Sequence, residues 1–472
     1  MKRRQFLTLT GAAGAMLAHR GVSGEEGAEI GGQSTRSGTR LGQSADFSVF
    51  DHDGLIAGRG LDDLIARYRH DLFDDFLPFM EAHIIDHEHG GFMTDADRRG
   101  KLLTTNKRSR YEGRGMWVYA HLYRTLAPEA KYLEVARKSV AFLLRAEPEA
   151  GQLWPNALSR EGAPMKDEGM LIAGKRYPSG TEVYDDMFIA EGFTAYAHAT
   201  GQDEFIARAI QILEKCEGLY DAEDYAPTAP LVYMGGEDAP LLPGCRLLGV
   251  WMVMLRLATQ LLAISENPRV AAVADRAIDA IMKRHRNTEF DLLNEVLEHD
   301  FSLPDNLYAQ LAYTGHGIET LWMVLDEALR RKDRALFDEA AALFRRHIEV
   351  SWDDVYQGWF RGCRHVNENR WILDKAAWIQ QEALVGLLMI VEHTGATWAK
   401  DWLRRGYTYV IEQYPLERHG YPLWDVYPDR RVTFVEDYNR VEHFHHPRHL
   451  ILNLEALLRI KERDGMVSGV FG

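Results

Sequence analysis

The segment KAAWIQQEALVGLLMIVEHTGATWAKDWLRRGYTYVIEQ, residues 375–413, decides the fold. Apolar residues recur at helical spacing over 375–394 and again over 398–413, and only Gly395-Ala396-Thr397 separates the two runs. So short a link joins antiparallel neighbours, so the segment reads as a helical hairpin. Outward from it the same pattern repeats. Twelve helical segments fall near 61–84, 111–126, 130–146, 182–200, 203–217, 245–264, 268–285, 314–331, 334–350, 375–394, 398–413 and 447–463. Links such as Ala127-Pro128-Glu129 and Gly201-Gln202-Asp203 pair them into six expected hairpins.

The links between hairpins are longer and share a theme, an aromatic after Gly or Leu followed by a polar turn. GGFMTDADRRGK (90–101), QLWPNALSREG (152–162), QGWFRGCRHVNENR (357–370) and YPLWDVYPDRR (421–431) each carry strand-forming residues around a turn and are expected to be small β-hairpins. A helix pair cannot bury both faces alone, and its repetition argues for a repeat architecture. The expected fold is therefore all-α, an (α/α)6 barrel with an inner and an outer ring and short β-hairpin inserts at its mouth. An open solenoid is the competing arrangement. Its connections would be shorter and more uniform than these aromatic links, which suit the walls of a pocket.

Composition bounds the function. The chain has 472 residues, 46% hydrophobic and 26% charged, with a formal net charge of -15. That sign repels phosphate backbones and anionic lipid, so no nucleic-acid or membrane partner is expected. Beyond the N-terminus no apolar run reaches the ~20 residues that a spanning helix needs. The 3 cysteines, Cys216, Cys245 and Cys363, are an odd number without a CxxC, so neither a disulfide framework nor a cysteine zinc site is indicated. No P-loop, GxGxxG after a strand, or GxSxG elbow occurs, which leaves phosphoryl transfer, dinucleotide redox chemistry and serine hydrolysis without support.

The N-terminus, MKRRQFLTLTGAAGAMLAHRG, pairs Arg3 and Arg4 before Phe6-Leu7 and a weakly apolar, Ala- and Gly-rich stretch. This reads as a twin-arginine export signal over 1–24, with cleavage after Ala18 or Gly24 and a periplasmic or otherwise exported product. Residues 25–45 read as a flexible leader, and 46–472 as a single catalytic domain.

Two of the 19 histidines stand out by context. His316, in Tyr313-Thr314-Gly315-His316-Gly317, opens a helix where flanking glycines would let a ligand approach the backbone. Glu319 lies one turn on and is expected to orient the imidazole or raise its basicity. His445, in Glu442-His443-Phe444-His445-His446-Pro447-Arg448-His449, is expected just before the last helix, because Pro447 suits a first helical position. The histidine cluster there and His83, His87 and His89 with Asp86 invite a metal, but the proline break and the absence of HExxH weigh against it. Glu382 interrupts a strongly apolar helix and needs a partner or a function. Arg114, in Tyr111-Glu112-Gly113-Arg114-Gly115, opens another inner helix, and a structural Arg114–Glu382 pair is the bland alternative.

At these motifs the chain resembles the N-acylglucosamine 2-epimerase family, whose members are (α/α)6 barrels that epimerise or isomerise sugars. GGFMTDADRRGK with YEGRGMWVYAHLYR, then GHGIETLWMVLDEAL, AAWIQQEALVGLL and HFHHPRHL, are similar to its signatures and stand in family order over about Leu61 to Ile460. The resemblance implies that His316 and His445 are the acid/base pair, with Glu319 supporting His316. It implies that Arg114 and Glu382 bind the sugar; Glu319, Trp378 and Arg448 are placed with them as substrate-binding residues. It requires no metal or other cofactor, and implies a small-molecule sugar as partner, with a homodimer compatible with the sequence. Relatives that are isomerases or cellobiose epimerases carry a histidine in the helix matching 245–264. Here Cys245-Arg246-Leu247-Leu248-Gly249-Val250-Trp251-Met252 has none, which is closer to the N-acylglucosamine epimerases. His446, where many relatives have a small apolar residue, is a further departure. A glycoside hydrolase or lyase using Asp185 with Asp186, or Glu295 with Glu298, and a silent sugar-binding protein are the competing readings.

Overall fold

The computed structural model describes residues 47–166, 182–227, 242–421 and 440–472, together with the backbone of the short strands at 170–172, 175–177, 425–426 and 435–436. The expected export signal and leader lie outside the described residues. Asp46–Gly472 forms one compact unit. No described helix is long and apolar enough to cross a membrane.

The architecture is an (α/α)6 barrel. Six helices bury almost their whole circumference and form the inner ring: Ser109–Thr125, Val183–Thr200, Leu248–Leu262, Thr314–Arg331, Ala377–Thr394 and His445–Glu462. Each packs on the next, and the last closes on the first. The outer helices Ala130–Arg145, Asp203–Tyr220, Pro268–Asp279, Arg334–Ser351 and Thr397–Gln413 are amphipathic and lay one apolar stripe on the ring. The expected helix at 61–84 is continuous but not uniform. Leu61–His70 passes through a π-turn, Asp71–Phe76, into Leu77–His83. Pro78 has no N–H for the residue four back, and the wider turn absorbs that loss.

The pairing differs from the expectation of six consecutive hairpins. Five inner helices run into their outer partner through a short link. The sixth pair joins the two ends of the unit, with Leu61–His70 packed against His445–Glu462. The ends are tied directly: Val49 N donates to Gly465 O at 2.9 Å, Val467 N to Phe47 O at 2.8 Å, and Lys400 Nζ to the carbonyls of Ser48 and Phe50. This closure leaves no open end, as a solenoid would.

Because every inner helix is entered from a long link, all six begin at one mouth. The links are less regular than hairpins. Residues 357–370 form the expected one, with Gly362–His365 against Arg370–Ile372, and Asp425–Val426 pairs Val435–Glu436 around the fourth link. The first link, 90–101, has only isolated bridges such as Ala96 to Leu102. In the second, Ala157–Leu158 pairs with Lys107–Arg108 of the preceding link on one side and folds back on itself on the other, through the bridge of Leu158 to Pro164.

Two links are locked by one device. Asp86 Oδ1 accepts from the N–H groups of Glu88 and His89, and its Oδ2 takes Lys107 Nζ at 2.9 Å, which also donates to Gly90 O. Asp353 repeats this with Val355 and Tyr356, and with Lys375 Nζ at 2.8 Å, which donates to Gln357 O. Each lysine stands two residues before an inner helix. The fourth residue of that helix, Glu112 or Gln380, then accepts the N–H of the link aromatic, Phe92 or Trp359. A buried ion pair is costly to desolvate but specifies one loop path.

Candidate active site

The mouth of the inner ring collects the first turns of its helices, and with them the residues singled out from the sequence. His316 is the third residue of Thr314–Arg331 and His445 the first of His445–Glu462. The last helix starts earlier than expected, so Pro447 falls within its first turn, where its missing N–H has no intrahelical acceptor to lose. Glu442 supplies the cap, its Oε1 accepting from the N–H groups of Phe444 and His445 at 2.7 Å each.

Each imidazole is held by a buried carboxylate. His316 Nδ1 lies 2.9 Å from Glu295 Oε1, and His445 Nδ1 lies 2.8 Å from Glu382 Oε1. A carboxylate on Nδ1 fixes the ring and directs proton chemistry to Nε2. The indole of Trp378 packs against both rings, its centroid 6.0 Å from His316 and 5.4 Å from His445. Tyr313 covers His316 at 4.2 Å.

The two histidines titrate in opposite directions. Burial lowers the pKa of His316, but the carboxylates of Glu295 and Glu319 outweigh it and hold the group above its ordinary value. Burial drives His445 well below its ordinary value; Glu319 opposes this, while the cations Arg448 and Arg114 and the neighbouring His316 reinforce it. The surroundings thus favour the imidazolium form of His316 and the neutral form of His445.

Several expected roles change. Glu319 does not hydrogen-bond His316. Its Oε1 pairs with Arg448 Nη2 and stands 3.9 Å from His445 Nδ1, although its charge still raises His316. Glu382 is not an open sugar ligand: Oε1 takes His445 and, at 2.7 Å, Arg448, and Oε2 takes Trp322 Nε1 at 2.7 Å. Arg448, 1% exposed, is held in this cluster through Nη2, its buried Nε making no hydrogen bond among the described residues, and it has little surface to offer a substrate. The glycines beside His316 serve packing more than ligand approach, since a Cβ on Gly315 would meet Ile379 and Trp378, and one on Gly317 would meet His347.

Arg114 and Glu382 do not pair. The Arg114 guanidinium lies 4.0 Å over the Phe188 ring and 4.8 Å from that of Phe444, and none of the described carboxylates bonds it. Burial accordingly lowers its pKa. It faces the site as a cation in need of an oxygen partner.

Metal geometry is confined to other groupings than those suspected. Among the described residues, close sets of ligand atoms occur at Asp51, His52 and Asp53, at His70, Asp71 and Asp75, and at Glu319, Glu382 and His445. In the last set the Arg448 guanidinium already donates to both carboxylates, so the donor set suits a fixed cation. His443 bonds Tyr111 O at 2.8 Å, and His446 takes Gln381 Nε2 at 3.0 Å.

Two residues escaped the sequence reading. Glu295, weighed there only as a hydrolytic carboxylate, is the partner of His316, and Gly249 packs on the same imidazole, an added Cβ coming 3.3 Å from Cε1 and Nδ1. The only sequence signal for Glu295 is a lone acid in the apolar stretch Leu292-Leu293-Asn294-Glu295-Val296-Leu297.

Comparison with known proteins bears on this geometry. Residues 248–448, which include both histidines, match the family profile described as N-acylglucosamine 2-epimerase (GlcNAc 2-epimerase). The N-acylglucosamine 2-epimerase of Homo sapiens is 25% identical over 343 residues, covering 68% of this chain and 73% of its own. In solved structures the fold matches cellobiose 2-epimerase from Bacillus thermoamylovorans B4167, with a TM-score of 0.69 and 17% identity over 84% of this chain and 100% of that one. Cellobiose 2-epimerase from Spirochaeta thermophila DSM 6192 matches with a TM-score of 0.68 and 17% identity over 85% and 98%.

Proposed function

We propose that this chain, whose residues 248–448 match the N-acylglucosamine 2-epimerase family profile, is a sugar epimerase/isomerase that inverts C2 of an aldose by proton transfer between His316 and His445. What carries the mechanism is the placement of two imidazoles, each backed by a buried carboxylate, on one Trp378 wall, with surroundings that raise one pKa and lower the other.

Epimerisation removes a carbon-bound proton alpha to the open-chain aldehyde and returns one to the opposite face. That needs one neutral base and one protonated acid at the same moment. His445, neutral, takes the C2 proton through Nε2 while Glu382 steadies the imidazolium that forms. His316, already protonated against Glu295, delivers to the other face, and the roles exchange in the reverse direction. Charge that develops on the carbonyl oxygen in the enediolate falls to Arg114, whose guanidinium has no carboxylate of its own among the described residues. Phe188, Phe444 and Trp378 exclude water around these groups.

Protonation of the same enediolate at C1 would give a ketose. The smooth Gly249 surface against His316, with no third histidine on that helix, favours return of the proton to C2. The carboxylates Glu295, Glu319 and Glu382 are committed to His316, Arg448 and His445, which disfavours their use as a glycosidase pair. Proton NMR in deuterium oxide with N-acetylglucosamine, N-acetylmannosamine, glucose, mannose and cellobiose tests the reaction and names the sugar. Loss of the C2 proton with appearance of the epimer is expected; release of monosaccharide from a glycoside would favour hydrolysis.

The paired Arg3 and Arg4 ahead of a weakly apolar stretch support export by the twin-arginine route. Retention in the cytoplasm of an Arg3→Lys/Arg4→Lys variant, with the parent in the periplasm, is the expected outcome. Equal distribution of the two would contradict it.

A further inference from the structure

The opposite end of the barrel holds a second cavity, of about 350 Å³, to which the C-terminal halves of all six inner helices contribute. Its floor is Trp322, the indole that donates to Glu382. Arg448 lies 5.3 Å from that ring and Arg256 5.2 Å from it. Arg448 belongs to the catalytic cluster, whereas Arg256 lines the rear cavity. One residue therefore walls both sites.

The lining mixes apolar side chains with charged ones, and its charges do not balance locally. Three acids face the cavity and each has a partner: Asp326 is paired with Arg256, Glu392 with Arg459 and Arg463, and Glu455 with His121 at 2.9 Å. Arg124 and His198, both exposed, line the cavity beside His121, and none of the described carboxylates bonds either of them. Burial, then the charges of Arg124 and His121, push His198 down to about 4. Burial likewise lowers Arg124, with only the more distant field of Glu455 against it. The corner thus offers a guanidinium and an imidazole aimed at the same space, a pair that an oxyanion would satisfy. Deeper in, Met389 provides apolar surface of the kind that takes the C–H face of a sugar, while Trp117, stacked on His121, lies fully buried behind the lining.

We propose that this rear cavity binds a small hydroxylated oxyanion, a sugar phosphate or a sugar acid, with its anionic group held by Arg124 and His198 and its ring inside against Met389. The site is distinct from the mouth where the histidines act, and its occupancy is read by binding, independently of whether the mouth epimerises anything.

Isothermal titration calorimetry of the whole mature chain with glucose 6-phosphate, gluconate, glucose and inorganic phosphate tests this, together with an NMR titration of the His198 ring. Saturable binding of glucose 6-phosphate or gluconate is expected, tighter than that of glucose, with His198 titrating at least one unit higher in the complex. Binding of the phosphate ester alone or of the acid alone identifies which anion the corner takes. Affinity should fall at least tenfold in Arg124→Gln/His198→Gln. Absence of saturable binding by either ligand, or an undiminished affinity in the double variant, overturns the proposal. Should that variant fail to fold, Arg124→Lys and the His198 titration in the parent protein decide it, an unmoved His198 being the contrary result.

Discussion

Glu295 and His316 are joined by a 2.9 Å hydrogen bond although one lies in a link and the other on an inner helix 21 residues later. The carboxylate is fully buried, so its charge acts on the imidazole through little water. With Glu319 it raises the pKa of this histidine, whereas His445, which has its own buried carboxylate in Glu382, is lowered by burial and by the cations Arg448 and Arg114.

Loss of Glu295 should therefore show in the pH profile. The reaction needs His316 charged and His445 neutral. Activity falls on the alkaline side as pH rises through the raised pKa of His316, and on the acid side as pH falls through the lowered pKa of His445. Wild type should give a broad plateau through neutrality. Glu295→Gln removes the charge that raises His316 and should move the alkaline limb to lower pH with the acid limb unchanged; an unmoved alkaline limb in the kcat/KM profile would contradict the assignment.

His316→Ala and His445→Ala should each reduce turnover by about 10²–10⁴-fold or more, the usual worth of a positioned general acid or base. Circular dichroism and thermal melts verify folding. Normal turnover in either variant rejects the two-base scheme.

Gly249→Ala is a finer probe. Its methyl group would stand 3.3 Å from the His316 ring and force a shift of a few tenths of an ångström. Alanine is the better helix former, by ~1 kcal/mol. Steady-state kinetics should give a kcat reduced by roughly tenfold, as expected for a misplaced catalytic group, with Tm unchanged or higher.

Breaking the ion pairs of the mouth should cost stability. Arg448→Met leaves Glu319 and Glu382 without their shared cation, and Lys375→Met strands Asp353 in a site where both side chains are fully buried. Removing one partner of a buried pair costs ~3–5 kcal/mol, which denaturant unfolding would reveal. Lys375→Met with Asp353→Leu should recover part of the loss. A single variant as stable as the parent would contradict the link-locking role.

The ring of helices was legible because helical periodicity and short links are local signals. The twelve expected segments and the inner helices that carry His316, His445 and Glu382 all emerge from spacing alone. What spacing hides is which distant pieces meet. Helix 61–83 has no neighbour in sequence to pair with, and its partner is the last helix of the chain, so an expectation of six consecutive hairpins fails at the closure. The same non-locality hid half of the role of Glu319, whose charge raises His316 as expected but whose hydrogen bond goes elsewhere. On its own helix it shares a face with His316, but closing the ring brings Arg448 of the final helix onto its carboxylate. Glu295 comes from a link whose path is set by pairing Arg246–Leu247 with Val296–Leu297, a contact across 50 residues that no periodicity announces.

The measurement that discriminates the mechanism is the position of label at early conversion in deuterium oxide, read by NMR on the sugar that the panel identifies. Two histidines on opposite faces predict that the product epimer carries solvent deuterium at C2 while the remaining substrate keeps its C2 proton. Deuterium entering the remaining substrate as fast as the product, or product that retains the original proton, would mean a single base and would contradict the roles assigned to His316 and His445.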